Sequence, residues 1–168
     1  YAKLLILPTL ICSKIIFSLP PYNIVLISMN IITHALMGWT IGQRFGRTRN
    51  EVLALTAAGL IPDLDGLGVI GDLLTRDSAH PLTLYADYHH VLGHNLVAGL
   101  LLAALAAAWS QRRPVMFWAF LGLFHLHLLC DIVGSKGPDG ELWTIPYLYP
   151  FAPAWIISWS GQWEINAW

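Results

Sequence analysis

The sequence predicts an all-α integral membrane protein, built as a helical bundle of about four to five helical segments. Charged residues make up 11% of the 168 residues, where an ordinary soluble domain carries about 25%. Apolar residues make up 56%, and they recur in runs that are separated by short polar joints. Because so few charges cannot cover the surface of a compact domain, we expect much of that surface to contact lipid.

The same composition excludes several classes of protein. Disorder requires low hydrophobicity and high charge, and this chain has the opposite balance. Nine Lys and Arg against ten Asp and Glu leave no basic surplus, so no nucleic acid partner is indicated. Two cysteines, Cys12 and Cys130, are too few for a disulfide framework or for a zinc site built from cysteines.

The chain divides into two parts. Residues 1–28 contain two short apolar stretches, and neither reaches the roughly 20 residues of a straight membrane-spanning helix. They are interpreted as a leader, as an anchor or as a non-native upstream segment. Residues 29–168 hold the regular pattern and are predicted to form one membrane-embedded domain, whose abrupt end is compatible with truncation at the C-terminus.

Five apolar segments follow in this second part. The segment 95–110 is rich in Ala and Leu, which suits helix packing, and the segment 115–133 is long enough to span a bilayer. The first two segments are short, and the last is broken by Pro146, Pro150 and Pro153. In order along the chain, the segments are 31–43, 52–61, 95–110, 115–133 and 142–159.

The joints between these segments alternate in chemistry. Basic turns follow the first and third segments, whereas acidic or histidine-rich stretches lie after the second, before the third and near the end of the fourth. If successive segments run antiparallel, five Arg side chains fall on one face of the membrane and the His and Asp side chains on the other. The positive-inside rule then predicts a multi-pass protein of a bacterial-type inner (plasma) membrane, with the His/Asp face outside the cytoplasm. The alternative is that short polar joints collect whatever charges the chain has.

His127 and Asp131 lie at positions i and i+4 of the fourth segment, so on a helix they share one face. Two ligands at this spacing can hold one metal ion. An ionised Asp in so apolar a segment is costly unless it is paired or bound to a cation. The alternative is a His–Asp hydrogen bond that only ties helices together, and the pair alone does not decide between the two.

Carboxylates also follow the second segment. Asp63 and Asp65 come directly after Pro62, and residues two apart in a turn can point to the same side. Carboxylates suit zinc, manganese or magnesium and can bridge two ions. The alternative is an Asx-type turn, for which the Pro-Asp-x-Asp-Gly sequence is well suited. His34 lies at the start of the first segment, where Thr33 is a candidate N-cap, and a lone His there is more often structural.

Three histidines lie close together in the loop that opens the third segment. His89 and His94 are candidate ligands, although a loop position does not fix their directions. His90 is adjacent to His89 and is interpreted as pointing elsewhere, toward substrate or in support of a ligand. The alternating layout brings seven candidate ligands from four separated stretches to one side, and they form a candidate metal site. They are His34, Asp63, Asp65, His89, His94, His127 and Asp131.

A set of His and carboxylate ligands without Cys is typical of hydrolytic metal sites rather than of structural zinc sites. Ions in such sites lower the pKa of a bound water to near 7, and two ions can clamp the attacking and leaving oxygens of a phosphoester. We therefore expect a divalent metal as cofactor, zinc in the first place and manganese as the alternative.

The chain resembles the YdjM-like membrane-bound metal-dependent hydrolases in four motifs and in a Pro-Phe ending. That family is grouped with zinc-dependent phospholipase C and P1-type nucleases, which are helical proteins whose His and Asp ligands bind zinc ions and cleave phosphoesters. The resemblance implies that these candidate side chains, with one or both of Asp63 and Asp65, bind a small cluster of zinc or similar ions. The motifs lie within about residues 29–151 and are Ile-Thr-His34-Ala, Ile-Pro-Asp63-Leu-Asp65, His89-x4-His94 and His127-x3-Asp131.

Two stretches concern the binding of substrate. The family commonly has Arg after the first His of its central motif, and this chain has His90 there, which can serve a phosphate group if it is protonated. A loop rich in Gly and Pro follows Asp131, and its Lys136 is a candidate for contact with an anionic substrate. The alternative for Lys136 is a solvated loop side chain.

The sequence therefore predicts a membrane-bound metal-dependent hydrolase that cleaves phosphoester or lipid-derived substrates with a metal-activated water. Asp63 or Asp65 would act as the catalytic base where it is not itself a ligand. The predicted partners are the lipid bilayer and a small-molecule or lipid phosphoester. The alternatives are a non-enzymatic membrane protein that binds or transports metal ions, and a metal-free bundle in which the same side chains only crosslink helices.

Overall fold

Helices make up most of the fold. A computed structural model describes residues 25–134, 136 and 140–163, with the backbone alone for residues 25–30. Most of the predicted leader or anchor, residues 1–24, lies outside the described residues. The helices are α1 Val25–Phe45, α2 Arg49–Ala58, a 3-10 helix Pro62–Leu67, α3 Gly68–Thr75, α4 Leu84–Tyr88, α5 Leu96–Ala108 and α6 Arg113–Val133.

The longest fully described helix, α6, organises the core. It packs against α5, α2 and α1. Its apolar face is buried against Leu55 of α2 and Ala103 of α5. Burying one large apolar side chain stabilises a fold by about 1.5–3 kcal/mol, so this face is a main source of stability. The α6 side chains in the core are Met116, Phe120, Leu123, Phe124 and Leu128.

Three glycines allow α1 and α2 to approach closely. Gly38 and Gly42 lie in α1, Gly46 follows its last residue, and all three face α2. A Cβ at Gly38 would lie 2.9 Å from the carbonyl oxygen of Thr56, and one at Gly42 would lie 3.1 Å from that of Val52. Small residues at this spacing are typical of close helix contacts within membranes.

The basic joints meet at one end of the bundle. Glu51, near the start of α2, accepts a hydrogen bond from Ser110 Oγ at 2.7 Å and pairs with the guanidinium of Arg112. Arg112 also donates to the carbonyl oxygen of Phe45, the last residue of α1, at 2.9 Å. The ends of α1 and α5 therefore lie beside the starts of α2 and α6, which is the antiparallel alternation that the joints indicate.

One described helix, α6, is long and apolar enough to cross a bilayer by itself. Arg49–Ala58 and Pro62–Thr75 pass the same test together but are bent by 61°. The apolar helix α5 has 13 residues, fewer than the roughly 20 of a straight span. The helical class is thus confirmed, whereas the bundle of four to five membrane segments stays a prediction.

The fifth predicted segment, 142–159, is not a helix. It contains β1, Thr144–Ile145, which pairs antiparallel with β2, Ile157–Ser158, and turns connect the two strands. Proline lacks the backbone N–H that a helix interior requires and clashes with the preceding turn. The three prolines therefore prevent a helix in this segment, despite its apolar composition.

Two further details differ from the prediction. Thr33 is not an N-cap, because α1 begins at Val25 and Thr33 lies inside it. The stretch after Pro62 is not a simple turn but continues as the 3-10 helix and α3. Proline is tolerated in the first turn of a helix, where its missing N–H has no intrahelical partner.

Candidate metal site

Five buried side chains meet where α2 and α6 end and α5 begins. His34 comes from the middle of α1, Asp63 from the 3-10 helix and His94 from the loop before α5. His127 and Asp131 come from the last two turns of α6. Each of the five is 6% exposed or less. We call these five residues the His/Asp cluster.

Four ligand atoms of the cluster converge on one point. The Nε2 atoms of His94 and His127 lie 3.2 Å apart, and Asp131 Oδ2 lies 3.4 Å from the first and 3.1 Å from the second. Asp63 Oδ1 lies 3.8 Å and 3.6 Å from the same two nitrogens. Donors bound at about 2.1 Å around a tetrahedral ion lie about 3.4 Å from one another. The observed separations therefore fit a zinc-like ion.

One buried oxygen faces its neighbours without forming a hydrogen bond. Asp131 Oδ2 has no hydrogen-bond partner among the described residues, although imidazole nitrogens lie 3.1 Å and 3.4 Å away. An unsatisfied buried oxygen is costly, and a carboxylate oxygen more so. This donor set fits a shared cation better than a set of hydrogen bonds between helices.

Neighbouring groups orient the two imidazoles of this convergence. His127 Nδ1 donates to the carbonyl oxygen of Gly59 at 3.0 Å, because a carbonyl oxygen can only accept. His94 Nδ1 donates to Asp65 Oδ2 at 3.0 Å. In both rings Nε2 is left to face the cluster. Hydrogen bonds of this kind are the usual support of histidine ligands.

Asp65 lies beside the cluster and anchors the histidine loop. Its Oδ1 accepts from His89 Nδ1 at 2.8 Å, and its Oδ2 accepts from the Gly93 N–H at 2.9 Å as well as from His94. The sequence did not decide whether Asp65 is a metal ligand or the catalytic base. Its contacts in the structure are those of a carboxylate that orients two imidazoles.

His89 also lies beside the cluster. Its ring stacks on Tyr85 with a centroid distance of 4.5 Å and meets the edge of Trp143 at 5.4 Å. Burial, followed by the charges of the cluster carboxylates and Asp65, raises the pKa of Tyr85 to about 12, so this hydroxyl keeps its proton at neutral pH. Among the described residues, ligand atoms that lie close enough together to share one ion come from other side chains, and His89 is not among them.

His90 points inward and not away from the cluster. It is 5% exposed, and its ring lies 4.4 Å from that of His94 and 4.4 Å from that of Trp143. Its backbone has a φ of 66°, which is the left-handed region. This dihedral turns the side chain inward, and adjacency to His89 in the sequence gives no signal of it. Burial, followed by the charges of His94 and His89, holds the pKa of His90 well below 6.5, so the imidazole is neutral.

The ligand atoms fall into two overlapping groups. Within each group, one atom per residue lies within 4.8 Å of every other. Asp131 belongs to both. The first group is His34, Asp63, His127 and Asp131, and the second is His90, His94 and Asp131.

The charge state of His94 depends on these carboxylates. Burial disfavours its charged form, but the neighbouring carboxylates of Asp131, Asp63 and Asp65 outweigh burial and raise the pKa of His94 well above 6.5. In the metal-free protein this imidazole therefore carries a proton at neutral pH. A metal ion that binds here must displace that proton.

Lys136 lies in the loop after α6. Its backbone N–H donates to the carbonyl oxygen of Trp163 at 2.7 Å, which ties this loop to the end of the described chain. Nearby, Gln162 Oε1 accepts from the Trp143 N–H at 2.8 Å. A contact between Lys136 and an anionic substrate stays a prediction.

The comparisons with known proteins name one family. The profile of the YdjM inner membrane protein family matches residues 29–166, a range that contains the whole cluster. No curated protein and no solved structure matches the chain. The family expected from the motifs is confirmed, and it supports a place in the inner membrane. Since the match covers most of its length, the chain belongs to the YdjM inner membrane protein family.

Proposed function

We propose that this protein is a membrane-bound metal-dependent hydrolase whose His/Asp cluster binds a divalent cation, zinc by preference. The observation that carries the proposal is the convergence of two imidazole Nε2 atoms and two carboxylate oxygens at separations of 3.1–3.8 Å. Histidine and carboxylate donors without cysteine are typical of hydrolytic metal sites. The residues are His94, His127, Asp63 and Asp131.

The residues of the cluster have distinct tasks in this proposal. A divalent cation bound there would supply an activated water and would polarise a phosphoryl oxygen. Asp65 is committed to three N–H donors, so it orients the histidine loop and is a poor candidate for the base. Asp63 has an oxygen 3.3 Å from His34 Nδ1. We propose that Asp63 binds the cation through Oδ1 and orients His34 through Oδ2, so that the cation itself, rather than a carboxylate base, would activate the attacking water.

The position of the cluster at the end of a helix that can span a bilayer supports a substrate at the membrane surface. His127 and Asp131 lie in the last two turns of α6, the helix that can span a bilayer. The following segment exposes large aromatic side chains, and Trp and Tyr are enriched where membrane and water meet. Trp143 joins that segment to the cluster through its contact with the ring of His90 at 4.4 Å. The exposed aromatic residues are Phe151, Trp155, Trp159 and Trp163.

The substrate class that suits this position is a phosphoester in a lipid headgroup or in a small molecule near the bilayer. The basic joints lie at the opposite end of the bundle, around Glu51 and Arg112. The positive-inside rule assigns that basic end to the cytoplasm. The cluster then belongs to the extracytoplasmic side of a multi-pass protein.

The main rival is a non-enzymatic protein that binds or transports metal ions. Transport requires polar side chains through the depth of the membrane. The helix α5, LVAGLLLAALAAA, carries none. The buried side chains of α6 that precede His127 are all apolar, and Met116, Phe120 and Phe124 are among them. Neither α5 nor the buried part of α6 before His127 therefore offers a polar path, and this supports the hydrolase over a transporter.

A hydrolysis assay tests the proposal. The full chain, loaded with zinc and reconstituted in lipid nanodiscs, is given bis-p-nitrophenyl phosphate in one arm and headgroup-labelled phospholipids in the other. We expect turnover in at least one arm, and its loss in Asp63→Ala and His127→Ala. His80→Ala, in an exposed loop, is the control and should keep full activity.

Each contrary outcome has a clear meaning. No turnover in either arm by the zinc-loaded protein would contradict the hydrolase. Zinc uptake into liposomes in the absence of hydrolysis would favour the rival. Turnover in the lipid arm alone would assign the substrate to the bilayer, and turnover in the soluble arm alone would assign it to small molecules.

A further inference from the structure

The site contains more donors than one tetrahedral ion uses. A tetrahedral ion takes four ligands. Six imidazole and carboxylate side chains, each 6% exposed or less, supply atoms to the two groups of ligand atoms. They are His34, Asp63, His90, His94, His127 and Asp131.

Asp131 has the geometry of a bridging carboxylate. Its Oδ1 lies 3.5 Å from His34 Nε2, in the first group. Its Oδ2 lies 3.1 Å from His127 Nε2, also in the first group, and 3.4 Å from His94 Nε2, in the second group. A carboxylate that faces ligands of both groups can bind two neighbouring ions, and such pairs of ions lie about 3.5–4 Å apart in two-metal sites.

His90 carries two unfavourable features that a second ion explains. Its φ of 66° is sterically unfavourable for a residue with a Cβ. Its Nδ1 is buried and has no hydrogen-bond partner among the described residues, which is also unfavourable. The protein thus keeps an imidazole inside the site whose Nδ1 has no partner among the described residues. Coordination of a cation would satisfy that nitrogen.

We propose that His90, His94 and Asp131 bind a second divalent cation, with Asp131 as the shared ligand. When both ions are bound, His94 serves the second ion and His34 takes its place at the first, beside Asp63, His127 and Asp131. The second group offers three protein donors, which leaves one tetrahedral position for water or substrate. This inference rests on the metal site of the proposed function and deepens it, because it assigns His90 as a ligand and names the ion that substrate would reach.

Metal stoichiometry tests the inference. The full chain in detergent is loaded with zinc, freed of excess metal and measured by elemental mass spectrometry against protein concentration. Wild type should contain two zinc ions per chain and His90→Asn one, because Asn tolerates the left-handed backbone but offers no imidazole. His80→Ala is the matched control and should contain two.

Cobalt substitution gives a second readout. Two Co²⁺ ions that share a carboxylate couple magnetically, so wild type should show a weakened electron paramagnetic resonance signal per cobalt. His90→Asn should show the full signal of an isolated ion. His90→Gly, whose backbone also suits a φ of 66°, should behave like His90→Asn.

The outcomes separate this inference from the proposed function. One ion in wild type that His127→Ala removes would overturn the second site and leave the first. Two ions in both His90 variants would overturn the assignment of His90. Loss of both ions in two His90 variants with wild-type circular dichroism would also contradict it. A folded wild type without any ion would overturn both proposals.

Discussion

Asp65→Asn should weaken metal binding without abolishing it. The carboxylate accepts three N–H groups, from His89 at 2.8 Å, from Gly93 at 2.9 Å and from His94 at 3.0 Å. The asparagine amide keeps one acceptor oxygen and turns an NH₂ group toward at least one of these donors, so one imidazole loses its anchor. Loss of such an orienting partner lowers metal affinity by about 10–100-fold, which corresponds to about 1.4–2.8 kcal/mol.

A competition titration with a chromogenic chelator measures this change. Asp87→Asn is the matched control, because Asp87 is exposed and its carboxylate accepts from Thr83 Oγ1 away from the cluster. It should keep the affinity of the wild type. An unchanged affinity in Asp65→Asn would refute the orienting role. A complete loss of metal, as expected for His127→Ala, would show instead that Asp65 is itself a ligand.

Three further predictions concern packing, protons and the basic end of the bundle. Gly59→Ala would place a Cβ against the carbonyl oxygen of His34 and should lower stability in a detergent thermal melt by about 1–3 kcal/mol. Gly122→Ala, whose Cβ would have no neighbour within 4 Å among the described residues, should not. Zinc affinity should rise with pH through the neutral range, because the raised pKa of His94 keeps a proton on a ligand. Calorimetry in two buffers of different ionisation enthalpy should detect the release of this proton, and heats of binding that do not depend on the buffer would contradict the prediction. Glu51→Gln should lower stability in the same thermal melt by about 1–3 kcal/mol, because it weakens the contacts of residue 51 with Ser110 and Arg112. Its zinc content should stay that of the wild type, and a change would contradict the independence of the basic end and the metal site.

Helical spacing and alternation account for the part of the site that could be predicted. His127 and Asp131 share a face because they are one turn apart, and the structure keeps them on one face of α6. The antiparallel order of the helices carries His34, Asp63 and His94 to the same end of the bundle. These features depend on periodicity and segment order, which are both visible in the amino-acid pattern.

Three residues could not be placed, because their positions depend on single dihedral angles and on rotation within a turn. His90 faces the cluster through a φ of 66°, and neither composition nor adjacency to His89 indicates such a value. Asp63 and Asp65 are equivalent in the sequence, but the 3-10 helix turns them to different neighbours. Their separate contacts are a property of the fold alone.

The local structure of two stretches that contain proline differs from what their composition predicts. The segment 142–159 has the apolar content of a helix, but its prolines remove donors and it forms the β1–β2 pair. The stretch after Pro62 has the composition of a turn, but proline at the start of a helix leaves the following residues free to continue it. The effect of a proline depends on its position within the element.

X-ray absorption at the zinc edge tests the central claim most directly. The zinc-loaded, full-length protein should show nitrogen and oxygen ligands at about 2.0–2.1 Å, with the multiple scattering of imidazole rings and without sulfur. His127→Ala should lose bound zinc or lose part of the imidazole scattering. A folded wild type that retains no zinc, or a zinc ion with sulfur at about 2.3 Å, as from Cys130, the residue before Asp131, would contradict the His/Asp site.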